Sequence, residues 1–172
     1  RYILEAKLSK YLDCRNVATR KGMGTDYAIR KVIKYINILK RKYKTFYVLK
    51  LDISKYFYSI DHGVLKGLLI DKLDDYEYNI VSDIVDTTNN EYINKTINRL
   101  KEDRDIPNYL YGKGLPIGNM TSQFLSIYYL YKLDYFIVHD LGLKYYIRYM
   151  DDFIILDSDL EKLKEAKEKI VE

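Results

Sequence analysis

Residues 145–149 and 153–157 are two short runs of aromatic and branched aliphatic residues, and only Met150-Asp151-Asp152 separates them. Each run favours extended backbone, and a connection this short between two strands closes as a tight antiparallel hairpin. Two adjacent carboxylates therefore sit in or beside a turn between strongly apolar strands. Like charges held together repel, and a bound cation relieves that repulsion. A third acid belongs to another strand. Residues 46–53 are rich in aromatic and aliphatic side chains, and alternation puts Val48, Lys50 and Asp52 on one side with Leu49, Leu51 and Ile53 on the other. Neighbouring strands of one sheet lie about 5 Å apart, so Asp52, Asp151 and Asp152 can converge on a site of oxygen ligands suited to hard divalent ions. Taken singly, an acid at a strand end or turn also serves as a solvated turn residue, and both readings stand at this level.

Helical spacing organises much of the remaining chain. After the turn-prone Lys21-Gly22-Met23-Gly24, Thr25 is placed as the N-cap of a helix packed by one face through Ala28, Ile29, Val32, Ile33, Ile36 and Leu39. Val64, Leu65, Leu68 and Leu69 predict a short helix, and Ile80, Val81, Ile84 and Val85 a second. Residues 87–113 turn polar and irregular, with Asn89, Asn90, Asp103, Pro107 and Gly112 marking loops. An extended segment bounded by glycine and proline, 114–118, leads into a run from 121 to 139 that is apolar on most faces, as in one deeply buried helix. Ser158 and Glu161 form a capping-box pattern ahead of a closing helix carrying Leu160, Leu163, Ala166 and Ile170.

Composition excludes several classes. Cys14 is the sole cysteine, which rules out an intrachain disulfide and any multi-cysteine zinc site and suits a reduced, cytoplasmic setting. No apolar run approaches the roughly 20 residues needed to cross a bilayer, and no basic-then-apolar signal opens the chain, so a soluble protein without a membrane partner is expected. A net charge of +4 over 172 residues permits contact with phosphates without demanding it. The 20 tyrosines, with no tryptophan, serve either to fill the core or to stack on bases. His62 and His139 lack partners at metal-ligand spacing and read as structural.

Three segments together resemble a known family. Tyr149-Met150-Asp151-Asp152, preceded by Tyr146-Ile147-Arg148 and followed by Phe153-Ile154-Ile155-Leu156, is similar to the Tyr-x-Asp-Asp signature of reverse transcriptases. Leu51-Asp52-Ile53-Ser54-Lys55-Tyr56-Phe57-Tyr58-Ser59-Ile60-Asp61-His62 resembles their first catalytic motif. Gly114-Leu115-Pro116-Ile117-Gly118-Asn119-Met120-Thr121-Ser122-Gln123 resembles the intervening motif that contacts template and incoming nucleotide. Ala18-Thr19-Arg20-Lys21-Gly22-Met23-Gly24-Thr25, with Ala28 and Ile29 behind it, resembles a segment of bacterial retroelement enzymes, of the diversity-generating type and, less closely, of group II introns. The resemblance spans essentially the whole chain but only part of such an enzyme. The basic fingers residues that grip the triphosphate are expected before Arg1, and further palm motifs and the thumb after Glu172.

By position, the resemblance implies that Asp52 and Asp151 are direct ligands of two Mg2+ ions, with Mn2+ as a substitute. The backbone carbonyl of Ile53 would complete one coordination shell, and Asp152 would be a supporting third acid. Phe57 falls where the family sets an aromatic ring against the sugar's 2′ position, which selects deoxynucleotides by steric exclusion; core packing is its plainer role. Pro116 and Ile117 would shape the nucleotide platform, and Gly118 would let the backbone approach template or nucleotide closely. Gln123 either contacts template or caps the buried helix, while Tyr149, Met150 and Arg20 are implied to face template or primer. Arg148 and Lys50 either meet phosphates or balance the charge of the acids.

The fold implied is α+β: a reverse-transcriptase palm with an antiparallel sheet carrying the acids on one face, helices packed behind it, and part of the fingers. A single domain fragment is expected over residues 1–172, with about 1–45 and 62–113 as fingers and palm helices and loops, 46–61 and 114–172 as palm core, and no thumb. The implied reaction is reverse transcription, adding deoxynucleotides to a DNA or RNA primer on an RNA template, with little processive synthesis by the fragment alone. A group II intron maturase and a non-catalytic RNA-binding module of the same fold are the alternatives, and no feature speaks to oligomeric state.

Overall fold

A computed structural model describes residues 1–101 and 106–171. In chain order its elements are α1 (Tyr2–Leu8), α2 (Thr25–Lys42), β1 (Tyr47–Asp52), α3 (Tyr56–Ser59), α4 (His62–Leu69), α5 (Asp75–Asp86), α6 (Glu91–Leu100), α7 (Met120–Tyr129), α8 (Tyr131–Tyr135), β2 (Tyr145–Tyr149), β3 (Asp152–Asp157) and α9 (Leu160–Val171). The class is α+β, with a three-stranded antiparallel sheet backed by helices. Two compact units divide the chain: Arg1–Ser9 with Ser54–Tyr129, and Lys10–Ile53 with Leu130–Glu172.

The second unit holds the sheet, in the order β1-β3-β2 with β3 antiparallel to both neighbours. The hairpin between β2 and β3 closes through a two-residue turn, Met150-Asp151, because Tyr149 pairs directly with Asp152. Side-chain alternation sorts the three strands into two faces. One carries Tyr146, Arg148, Phe153 and Ile155, all buried. The other carries Asp52, Asp152 and Tyr149 in one row, then Lys50, Ile154 and Ile147, then Val48, Leu156 and Tyr145.

Helix α2 packs on the acid-bearing face, where Tyr35 and Leu39 join Val17, Ile147 and Leu156 in a buried cluster flanked by Tyr27, Ala28, Val32 and Ile36. Helix α2 covers the part of that face remote from the carboxylates. Its apolar stripe is wider than the sheet can cover, so Ile29 and Ile33 remain exposed, contrary to the sequence reading. With Ala28, Val32, Ile147, Tyr149, Asp152 and Ile154 they line a cleft of about 210 Å³. Gly24, not Thr25, is the N-cap of α2. Helix α9 lies against β1 and β3 and buries Leu163 and Ala166. Its first turn is capped by Asp159, whose Oδ1 accepts from the N–H groups of Glu161 (3.0 Å) and Lys162 (3.2 Å), in place of the expected Ser158.

In the first unit α4 starts at Asp61, whose Oδ1 accepts from Val64 N–H at 3.0 Å. Helix α5 starts at a reciprocal capping box of Asp74 and Glu77, and Lys7 of α1 pairs with both acids. The polar stretch 87–113 is not all loop. It contains α6, started by Asn90 Oδ1 accepting from Tyr92 N–H at 2.8 Å. No residue of α6 is fully buried, so the apolar signal that reveals a packed helix is weak there. Asp103, expected to mark a loop, lies outside the described residues. The run from 121 to 139 is not one helix either: α7 ends at Tyr129, Leu130 departs from helical backbone (φ −95°, ψ 12°), and α8 and a π-helical turn at Phe136–Asp140 follow. Among the described residues, no helix is long and apolar enough to cross a membrane.

Candidate active site

The three acids come together within the sheet unit. Asp52 ends β1 directly opposite Asp152, the first residue of β3, and Asp151 precedes it in the turn. Directly opposed residues have Cβ atoms about 5 Å apart, so the row gathers negative charge at one end of the sheet. The carboxyl of Asp151 is accordingly held above its ordinary pKa, first by burial and then by the charges of Asp52 and Asp152, against the lowering effect of its own backbone N–H and of Arg148. Asp152 differs from the other two. Lys50, its neighbour along the same face, stands 3.3 Å from Oδ1 in an ion pair, while that buried oxygen has no hydrogen-bond partner. Lys50 thus balances acid charge, one of the two roles read for it. Among the described residues no three His, Cys, Asp or Glu side chains form a set able to hold a metal ion by themselves. Mg2+ is commonly bound by one or two carboxylates, with water and phosphate oxygens completing its shell, and Asp52 with Asp151 offers such a pair of carboxylates. Ile53, half-buried, follows Asp52 directly.

The turn is supported from beneath. Arg148 is fully buried and grips Asp134 of α8 with both ends of its fork, Nε to Oδ1 at 2.7 Å and Nη2 to Oδ2 at 2.6 Å. Its Nη1 donates to the carbonyl of Met150 at 2.9 Å. Tyr146 donates its hydroxyl to Asp134 Oδ1 at 2.6 Å, and burial with the Asp134 charge pushes that phenol well above its ordinary pKa. A guanidinium with no exposure does not meet a phosphate from solvent, so the phosphate role read for Arg148 falls away. Asp134 was not marked by the sequence, because one acid in an apolar run carries no spacing signal. Arg20 donates Nη1 to the carbonyls of Asp13 (2.7 Å) and Asn16 (3.0 Å), bracing its own loop. Tyr149 is exposed at the end of β2, and Met150 holds φ 56° in the turn.

The residues expected to handle the nucleotide belong to the other unit and are brought together there. Phe57 lies half-buried in α3 with its ring edge-on to Tyr56, and its carbonyl accepts from Leu115 N–H at 2.7 Å. Gly114 N–H donates to Ile60 O at 2.7 Å. Segment 114–118, with Pro116, Ile117 and Gly118, is thereby tied to the motif that contains Phe57. Tyr109, missed by the sequence reading, is a main support of this loop. Its hydroxyl donates to Leu115 O at 2.8 Å and accepts from Ile117 N–H at 3.3 Å, its ring stacks on Tyr58 at 4.7 Å, and Asn94 of α6 accepts from its N–H at 2.9 Å. One tyrosine among 20 in a polar stretch offers no signal in the sequence. His62 is buried, as a structural role requires. Its Nε2 lies 2.7 Å from the Gly114 carbonyl, and Thr88 donates to that same carbonyl at 3.0 Å. Gln123 is half-buried in α7, whose cap is supplied by Asn119 Oδ1 accepting from Thr121 N–H at 2.8 Å.

No protein-family model matches this sequence, and neither does any curated protein. Solved structures do match. Apo telomerase from Candida tropicalis, truncated from its C-terminal domain, aligns with 100% of this chain at a TM-score of 0.68 and 16% identity, with 36% of that chain covered. Telomerase from Candida albicans, in complex with the TWJ fragment of telomeric RNA, aligns with 96% at 0.62 and 14% identity, with 31% covered. A second apo structure from Candida tropicalis aligns with 100% at 0.62 and 17% identity, with 32% covered. The chain thus spans about a third of the length of these proteins. At such identities the likeness shows the fold alone, a fold shared with these telomerase structures. The bacterial retroelement type has no counterpart among the three.

Proposed function

We propose that this chain is the catalytic core of an RNA-templated DNA polymerase. The observation that carries the reading is the row Asp52–Asp152 with Asp151 in the adjoining turn, set at one end of an antiparallel sheet in a telomerase-like fold. The pKa of Asp151, raised first by burial and then by the charges of Asp52 and Asp152, supports it, since a half-buried cluster of acids that repel one another favours a cation among them. Asp52 and Asp151, with the Ile53 carbonyl, would hold two Mg2+ ions, or Mn2+ in their place, which when bound lower the pKa of the primer 3′-hydroxyl and neutralise charge on the phosphates.

The chain's own residues supply position. Asp52 and Asp151 orient the reacting groups from a rigid sheet end, and Lys50 offsets the charge of Asp152. Phe57 closes the space beside the sugar's 2′ carbon, while Pro116, Ile117 and Gly118 form the platform under the incoming deoxynucleotide. Tyr149, Met150, Gln123 and Arg20 border the template or primer. The 3′ oxygen bonds to the α-phosphorus as the bond to pyrophosphate breaks, and holding the two in line accounts for much of the rate. The partners are an RNA template, a DNA or RNA primer and deoxynucleoside triphosphates. The finer assignment, to a bacterial retroelement enzyme, rests on the resemblance of residues 18–25.

Primer extension on an RNA template tests the reading, with the full-length protein compared with its Asp151→Asn form. The unsubstituted protein is expected to extend and the variant to be inactive. Equal extension by both would overturn the metal assignment, and extension by neither would favour an RNA-binding module.

A further inference from the structure

The Met150-Asp151 peptide is a single planar group that carries the Met150 carbonyl at one edge and the Asp151 N–H at the other. Arg148 Nη1 holds the carbonyl at 2.9 Å, and because the N–H edge belongs to Asp151 itself, the orientation of that plane fixes where the Asp151 side chain leaves the backbone. Met150 holds a left-handed φ of 56° without being glycine, a conformation that persists only where surrounding contacts over-determine it. Arg148 is itself held on every side. Its backbone pairs with β3, its N–H donates to Arg15 O at 3.0 Å, and its carbonyl accepts from Val17 N–H at 3.0 Å. Its side chain is clamped by both oxygens of a fully buried Asp134.

We propose that Asp134 and Arg148 are positioning residues that set the orientation of the Met150-Asp151 peptide, and through it the placement of the Asp151 carboxylate against Asp52. The proposal rests on the polymerase reading for its consequence and on hydrogen-bond geometry for its substance. Packing alone does not call for this pair, since buried ion pairs are often replaced by apolar residues of similar volume without loss of stability. What apolar residues cannot supply is a fixed third donor aimed at a turn carbonyl. The planar guanidinium binds a carboxylate edge-on and still presents Nη1 in a defined direction, which a lysine ammonium cannot do. Tyr146, donating to the same Asp134 oxygen, fixes the anchor in turn.

The test uses the full chain in three forms: unsubstituted, Asp134→Leu with Arg148→Met, and Arg148→Lys. Thermal melting reports folding, the 13C resonance of the Met150 carbonyl reports the hydrogen bond, and electron paramagnetic resonance with Mn2+ as the probe reports affinity at the acids. The apolar pair is expected to stay folded, to move the carbonyl resonance upfield and to bind Mn2+ roughly ten- to a hundredfold more weakly, the usual effect of removing an outer-shell support. Arg148→Lys is expected to do the same, and it decides the matter if the apolar pair fails to fold. A folded variant with an unmoved carbonyl, or with a moved carbonyl and undiminished Mn2+ binding, overturns the positioning role. Asp151→Asn separates the two levels: Mn2+ binding indifferent to it refutes the polymerase reading, and the Met150 carbonyl then decides whether the brace exists.

Discussion

Gly114 and Gly118 form a matched pair within one loop, because their φ angles are 88° and 89° but their surroundings differ. A Cβ added at Gly118 would meet nothing within 4 Å, whereas one at Gly114 would lie 2.5 Å from Tyr109 Cδ1 and 2.8 Å from Cε1. Substituting alanine at Gly118 therefore costs only the left-handed backbone, about 1–2 kcal/mol. At Gly114 the same backbone cost is joined by the overpacking of a ring that cannot step aside, since Tyr109 is buried and hydrogen-bonded at its hydroxyl. That adds about 1–3 kcal/mol, for a total of about 2–5 kcal/mol against a typical domain stability of about 5–15 kcal/mol. Urea unfolding followed by circular dichroism on Gly118→Ala, Gly114→Ala, Tyr109→Ala and the double variant Gly114→Ala/Tyr109→Ala measures each contribution. Removing the ring removes the two closest contacts and leaves the Phe57 carbonyl oxygen, 3.2 Å from the added Cβ, so the double variant should be more stable than the sum of its single changes implies, by about 1–3 kcal/mol. Equal losses at the two glycines, or strict additivity in the cycle, would refute the claim that Tyr109 and Gly114 are fitted to each other.

Asp151 carries a pH prediction. Its folded pKa is raised above the unfolded value of about 3.9, so its contribution to stability is full below that value and is lost as pH rises through the folded pKa. At pH about 7 the ionised carboxylate opposes folding, and Asp151→Asn should raise the melting temperature there, with a smaller gain near pH about 4; a lower melting temperature at neutral pH would contradict the origin given for the shift. On the polymerase reading, Phe57→Val should admit ribonucleotides during primer extension, and unchanged discrimination against them would remove Phe57 from the sugar-selecting role.

Much of the acid site was legible because it follows from local rules. A period of two placed Asp52 on the exposed side of its strand with Val48 and Lys50, and the shortness of the connection forced Met150-Asp151 into a turn. Helices α4 and α5 were legible from their apolar repeats. Helix α6 was not, because it buries no residue fully and its start depends on one Asn90 hydrogen bond. The break at Leu130 was hidden for the opposite reason. Residues 121–139 are apolar enough to be buried whatever their path, so hydropathy could not show where the helix stops.

By itself the sequence determined the strand that bears Asp52, the turn that bears Asp151 and the class of chemistry three neighbouring carboxylates can support, because these depend on spacing along a few residues. Only the tertiary structure decided which charges stay exposed beside the acids and which are buried supports. Arg148 and Lys50 read alike as cations near acids, yet one lies sealed against Asp134 and the other stands exposed beside Asp152. The difference comes from the two faces of one sheet and from the element packed on each, and from contacts between residues distant in sequence. Tyr109 and Asp134 acquired their roles in the same way, through partners that the linear order does not reveal.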